Sequence, residues 1–342
     1  MTKKNHFSSM SEAAHVLITG AAGQIGYILS HWIASGELYG ERPVYLHLFD
    51  IPPAMNRLTA LTMELQDCAF PHLAGFVATT EPEAAFKDID CAFLVASMPL
   101  KPGQVRADLI SSNSVIFKNT GEYLSKWAKP TVKVLVIGNP DNTNCEIAML
   151  HAKNLTADNF SSLSMLDHNR AYYEVASKLG VDIHDVHDII VWGNHGESMV
   201  ADLTQATFTK EGKTLKVVDV LDKEYVFDTF FKKIGHRAWD ILEHRGFTSA
   251  ASPTKAAIQH MKAWLFGTKP GEVLSMGIPV PEGNPYGIKP GVVFSFPCNV
   301  DKEGHIHVVD GFKVNDWLRE KLDFTEKDLF HEKEIALNHL AE

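Results

Sequence analysis

Short apolar runs rich in β-branched residues alternate with helical patterns through the first half of the chain. His15-Val16-Leu17-Ile18-Thr19 runs into Gly20-Ala21-Ala22-Gly23-Gln24-Ile25-Gly26, and a helical pattern continues to Ile33. Further strands are predicted at 44–49, 75–79, 90–95 and 132–137, with helices over 54–69 and 106–127 and a short turn near 83–86. The runs at 91–95 and 134–137 are apolar on both faces, as strands covered by helices on either side require. Alternating strand and helix units of this kind imply a parallel sheet.

The second half reads differently. Strands are expected at 188–192, 198–208 and 214–218, and a long helix at 222–244 with an apolar face of Phe227, Phe230, Phe231, Ile234, Ala238 and Ile241. A helix over 252–266, antiparallel strands at 292–300 and 305–309, and an interrupted C-terminal helix from near Asn315 complete the pattern. The fold class is therefore α/β: an N-terminal doubly wound parallel sheet with a C-terminal α+β substrate domain. Residues 1–11 are polar and read as a disordered extension. Residues 12–160 form the dinucleotide domain and 161–342 the substrate domain.

Composition narrows the classes. The chain has 342 residues, 45% hydrophobic and 22% charged, which suits two domains. A net charge of -10 argues against a nucleic-acid surface. No apolar run reaches membrane-spanning length, and the N-terminus has no signal-peptide core. Cys68, Cys91, Cys145 and Cys298 are widely spaced, so reduced thiols in a cytoplasmic protein are expected. The 17 histidines are scattered, and no metal site is expected.

Two stretches carry chemistry. Gly20, Gly23 and Gly26 form a tight strand-to-helix turn whose backbone can approach a pyrophosphate, with Gln24 and Ile25 opening the helix. Asp50, at the end of the second strand, stands where a ribose-binding acid belongs and favours NAD over NADP. Ser97 and Asn139 end two further strands at the same ligand edge. The second stretch pairs Leu166-Asp167-His168-Asn169-Arg170 with Trp192-Gly193-Asn194-His195-Gly196. Asp167 would orient His195 as an acid and base, and Arg170, one helical turn on, suits a carboxylate. The bland alternative is an acidic helix start and an unrelated surface histidine.

These stretches, with Met63-Glu64-Leu65-Gln66-Asp67-Cys68-Ala69-Phe70-Pro71 and Val136-Ile137-Gly138-Asn139-Pro140-Asp141-Asn142-Thr143-Asn144, span most of the chain in order. They resemble the lactate/malate dehydrogenase superfamily, in particular its cytosolic malate dehydrogenases. The resemblance implies an N-terminal Rossmann domain, NAD, a homodimer (a dimer of dimers left open) and a small 2-oxo or 2-hydroxy acid substrate. It implies His195 with Asp167 as the catalytic pair, Arg170 on the substrate carboxylate and Arg106, carried by a mobile loop, on the reacting oxygen. Asn139 would contact ribose and substrate, and Ser249 would lie near the substrate.

One position departs from the pattern. Leu100 stands where malate dehydrogenases carry the arginine that pairs with the second carboxylate of oxaloacetate. Leaving that carboxylate unpaired should cost about 3–5 kcal/mol, whereas a pyruvate methyl would meet an apolar wall. In this the sequence is similar to the lactate dehydrogenases of trichomonads. The implied activity is NAD-dependent L-lactate dehydrogenase. Malate dehydrogenase, with Lys101 as the cation, and a broad 2-oxo acid reductase are the alternatives.

Overall fold

The computed structural model describes residues 13–98 and 106–342. The expected N-terminal extension at 1–11, together with Leu100 and Lys101, lies outside the described residues.

The strand-to-helix alternation is seen directly. β1 (Ala14–Thr19) leads to α1 (Gln24–Ala34), β2 (Val44–Phe49) to α2 (Met55–Asp67), and β3 (Leu73–Thr79) to the short α3 (Pro82–Phe86). β4 (Cys91–Leu94) precedes α4 (Arg106–Trp127), β5 (Lys133–Val136) precedes α5 (Asp141–His151), and β6 (Phe160–Ser162) precedes α6 (Met165–Leu179). These strands pair in parallel in the order β6-β5-β4-β1-β2-β3. Side-chain alternation feeds two cores. Val16, Ile18, Phe93 and Leu135 pack with Leu29 and Ile33 of α1 and Leu58 and Leu61 of α2. Leu17, Ala92, Leu94, Val134 and Val136 pack with Phe117 and Leu124 of α4 and Ile147 of α5.

The chain continues through β7 (Val186–His187), β8 (Ile190–Trp192), β9 (Val200–Asp202), β10 (Thr207–Lys210) and β11 (Lys213–Lys216) to α7 (Val217–Val220). It then forms α8 (Phe230–Arg245), α9 (Ala251–Phe266), β12 (Leu274–Pro279), β13 (Val293–Val300), β14 (Ile306–Val308) and α10 (Asp316–Ala341). β12, β13 and β14 are antiparallel and extend the main sheet from β6, so it has nine strands among the described residues. The substrate half thus shares the sheet of the dinucleotide half.

Several expectations need correction. The run at 198–208 is two strands, because Asp202 accepts from Thr204 N at 2.7 Å and turns the chain between them. The strand expected to reach 218 stops at Lys216, where α7 begins. The long helix at 222–244 opens with a π-helical turn, Tyr225–Thr229, before α8. The C-terminal helix is continuous, its start capped by the Asn315 side chain, which accepts from Leu318 N at 2.8 Å.

Candidate active site

Two turns and one helix start bring the reactive groups together. β8 is followed by Gly193, whose φ of +85° and whose contact with Thr325, 2.4 Å from where a Cβ would stand, exclude other residues. Gly193 also pairs with Ser295 of β13 through both of its backbone groups. The next residues, Asn194 and His195, are thereby fixed over the start of α6. Asn142 of α5 adds a second hold: its Oδ1 accepts from His195 N at 2.8 Å, and its Nδ2 donates to Val293 O at 3.0 Å.

His195 Nδ1 donates to Asp167 Oδ2, and the other oxygen of Asp167 accepts from Arg170 Nη1 at 2.8 Å. Asp167 is 2% exposed. Burial works to raise its pKa, but the charges and hydrogen bonds of His195 and Arg170 outweigh it and hold the carboxyl below its ordinary value. Burial likewise works to lower the His195 pKa. The charges of Asp167 and Asp141 and the Asp167 hydrogen bond overcome it, and also the opposing Arg170, and raise the imidazole to about 9. Asp141, fully buried at the start of α5, is itself pushed up to about 7 by burial. With Nδ1 held by a carboxylate, Nε2 is the ring atom left to exchange a proton.

Arg106 opens α4. It donates from Nε to Glu332 Oε1 at 2.7 Å, and its Nη2 pairs with the same oxygen. Its guanidinium lies against Gly196, with Nη2 3.0 Å from where a Cβ there would stand.

The remaining candidates line the carboxyl edge of the parallel strands. Gly20 follows β1, Asp50 follows β2, Ser97 follows β4 and Asn139 follows β5. Three of these turns touch. A Cβ on Gly20 would meet Ala96 Cα at 2.9 Å, and one on Gly138 would meet Ala96 O at 2.9 Å. Asp50 accepts from Ala22 N at 2.9 Å, which ties the glycine turn to β2. The N-cap of α1, Gly23, makes no side-chain cap bond, so the first amides of that helix keep their capacity to bind an anion. Gly23, Gln24 and Asn139 are exposed, and Ile25, Asp50 and Ser97 are half-buried. This edge fits a dinucleotide. Ser249 lies half-buried in the turn between α8 and α9, and among the described residues no hydrogen bond joins it to the His195–Asp167 pair.

The sequence reading did not single out Asn142, Thr143, Asn194 or Glu332. Asn142 and Thr143 lie in the quoted stretch after Asn139, where polar residues on a buried helix were the available signal. Glu332 had none, being one acid among several on an amphipathic helix. No group of His, Cys, Asp and Glu placed to hold a metal occurs among the described residues.

A model of the lactate/malate dehydrogenase NAD binding domain matches residues 14–161, and one of the lactate/malate dehydrogenase alpha/beta C-terminal domain matches residues 164–339. The chain belongs to the lactate/malate dehydrogenase family. Like the family, it is an NAD-dependent oxidoreductase acting on 2-oxo and 2-hydroxy acids. It is 45% identical to the cytoplasmic malate dehydrogenase of Echinococcus granulosus over 94% of this chain and 97% of that one. Among solved structures it is similar to Trichomonas vaginalis lactate dehydrogenase in complex with NADH and oxamate. The identity is 94%, the TM-score 0.95 and the coverage 96% of this chain and 99% of that chain. Malate dehydrogenase from Naegleria fowleri matches at 36% identity with a TM-score of 0.90, over 96% of this chain and 98% of the other. The glycine turn thus lies at the edge of the nine-stranded sheet, and the His195–Asp167–Arg170 cluster is formed by α6 and the turn after β8.

Proposed function

We propose that the chain reduces pyruvate to L-lactate with NADH, reversibly, with His195 as the proton donor. The observation that carries the choice of pyruvate is Leu100, an uncharged side chain six residues before Arg106 in the sequence. The near identity to a lactate dehydrogenase supports it. The malate reading is favoured by the naming of the curated relatives, and Lys101 is the cation it would use.

The nicotinamide, when bound, supplies the hydride to the carbonyl carbon. Gly20, Gly23, Gln24 and Ile25 would hold the pyrophosphate, Asp50 a ribose, and Ser97 and Asn139 the nicotinamide end. Arg170 takes the substrate carboxylate with the guanidinium N–H groups that Asp167 does not engage. Protonated His195 gives its Nε2 proton to the carbonyl oxygen as the C–H bond forms, and Asp167 stabilises the imidazolium until then. Arg106 stabilises the developing negative charge on that oxygen. Ser249 borders the substrate. In the reverse direction neutral His195 accepts the proton of the hydroxyl.

Residues 12–160 serve the cofactor and 161–342 the substrate; the match limits of the two family models support that division. The cytoplasm is the site of action, on the naming of the relatives, and no described helix is long and apolar enough to cross a membrane. The chain works as a homodimer. Met63 on α2, 57% exposed, and Tyr173 on α6, 64% exposed, are apolar surface that a partner copy would cover. A monomer mass by sedimentation in an active sample would contradict the dimer.

Initial rates of NADH oxidation with pyruvate and with oxaloacetate, measured side by side, test the substrate. A higher kcat/KM for pyruvate is expected; a higher value for oxaloacetate would replace this reading with malate dehydrogenase.

A further inference from the structure

We propose that Asp141, a buried carboxylate with no part in the reaction steps proposed for His195, Arg170 and Arg106, is a positioning residue for His195: its ionised form shares with Asp167 the negative charge that keeps the proton on the ring. The inference rests on the reading of His195 as the proton donor.

Asp141 opens α5 and is 0% exposed. Its Oδ2 accepts from Leu163 N at 3.2 Å, and its Oδ1 has no hydrogen-bond partner among the described residues. A buried carboxylate held this loosely is costly to ionise unless a nearby charge answers it. Its place in the fold ties it to both catalytic stretches. Leu163 stands two residues before Met165, where α6 begins, and α6 carries Asp167 and Arg170 in its first turns. Asn142, the residue after Asp141, accepts from His195 N at 2.8 Å. The carboxylate therefore sits at the junction between the start of α6 and the turn that bears the ring.

The charges around it decide what it answers. Asp167 accepts from both Arg170 and His195, so one anion faces two cations whenever the ring is protonated. That leaves one positive charge uncompensated in a buried cluster, and ionised Asp141 balances it. The other charged groups on the elements packed against α5 are taken. From α4 and α10, Arg106 and Glu332 pair with each other, and Lys333 pairs with Glu146 of α5 itself. β6 and β13 carry no charged side chain, and Lys133 of β5 donates to Gly304 O at 2.7 Å. Burial pushes the Asp141 carboxyl up, the charge of His195 opposes this, Asp167 adds to it, and the Leu163 and Asn142 amides lower it, which leaves the group at about 7. An acid raised to about 7 is neutral below that pH and ionised above it. Asp141 therefore carries its charge where His195, raised to about 9, gives up its proton.

Profiles of kcat/KM against pH test this, for pyruvate reduction and for lactate oxidation, in the unmodified protein and in Asp141→Asn. The amide keeps the shape of the side chain and an oxygen for Leu163 N, and removes the charge. The falling limb of reduction should move to lower pH by about one unit, the size of effect a neighbouring charge has. The rising limb of oxidation should move with it, because both report the same ring, and NADH affinity should be retained. A merely structural role would lower the plateaus and leave both limbs in place. Unmoved limbs, or a shift to higher pH, would overturn the proposal. Near-full activity in His195→Asn would overturn instead the reading on which it rests. Should Asp141→Asn not fold, judged by NADH binding and thermal melting, Asp141→Ser carries the same profiles, since it is uncharged and smaller and offers a hydroxyl oxygen to the Leu163 amide.

Discussion

Arg170 donates to one oxygen of Asp167 at 2.8 Å, one helical turn along α6, while the other oxygen of that carboxylate takes the His195 ring. The proposed base and the proposed substrate clamp therefore share a single buried anion. Asp167→Asn should disturb both at once, lowering kcat and raising KM for pyruvate together. The loss in kcat/KM should be about a hundredfold to ten-thousandfold, the range of general acid–base effects. NADH affinity should be retained, and steady-state kinetics with a separate NADH titration checks both parts.

The raised His195 pKa fixes the sign of the pH dependence. Reduction needs the protonated ring, so kcat/KM for pyruvate should be flat below the His195 pKa and fall as pH rises through about 9. Oxidation of lactate needs the neutral ring and should rise through the same value. Asp167→Asn removes the principal charge that raises the pKa, so its reductive limb should move to lower pH. Profiles in both directions check this; a reductive limb that does not move in Asp167→Asn would contradict the assignment.

Asp50 follows β2 and accepts from Ala22 N and Ile51 N, so its carboxylate is fixed at the mouth of the glycine turn. A charge there repels a 2′-phosphate. The protein should prefer NADH to NADPH in kcat/KM, and Asp50→Ser should narrow the gap chiefly by improving NADPH. Equal use of the two cofactors by the unmodified protein would contradict the assignment.

Asn142 is 1% exposed and joins α5 to His195 and β13. Asn142→Ala strands the His195 amide and the Val293 carbonyl in a buried place. Stability should fall by about 1–3 kcal/mol, read by denaturant titration, and turnover should fall with it as the His195 backbone loses its support.

Much of this arrangement was legible in the residue pattern. The strands of the parallel sheet stand out because runs such as Cys91–Leu94 must be apolar on both faces. The helix expected over 106–127 has those bounds as α4. The contact between His195 and Asp167 could be read from residue types with complementary chemistry in two short stretches. β12 could not. Leu274–Pro279 contains a glycine and ends in a proline, both weak strand formers, and no strand was expected there. It is a strand because Gly277 admits β6 closely, with Ser162 Oγ 2.0 Å from where a Cβ would stand. Glu332 was hidden for another reason: its partners come from three distant segments, and no local period marks a residue whose role is set by tertiary contact.

The proposed substrate preference rests on Leu100, and exchanging that one side chain tests it most directly. In Leu100→Arg the new guanidinium would pair with the distal carboxylate of oxaloacetate and face the methyl of pyruvate without a partner. Attraction and repulsion change together, so the kcat/KM ratio of oxaloacetate to pyruvate should rise on the order of 10³-fold or more if each side contributes about 2–3 kcal/mol. Lys101→Ala, run in parallel, isolates the rival cation. The account predicts a large shift toward oxaloacetate in Leu100→Arg and little change in the ratio for Lys101→Ala. An unchanged ratio in Leu100→Arg, or a strong native preference for oxaloacetate that Lys101→Ala abolishes, would contradict it.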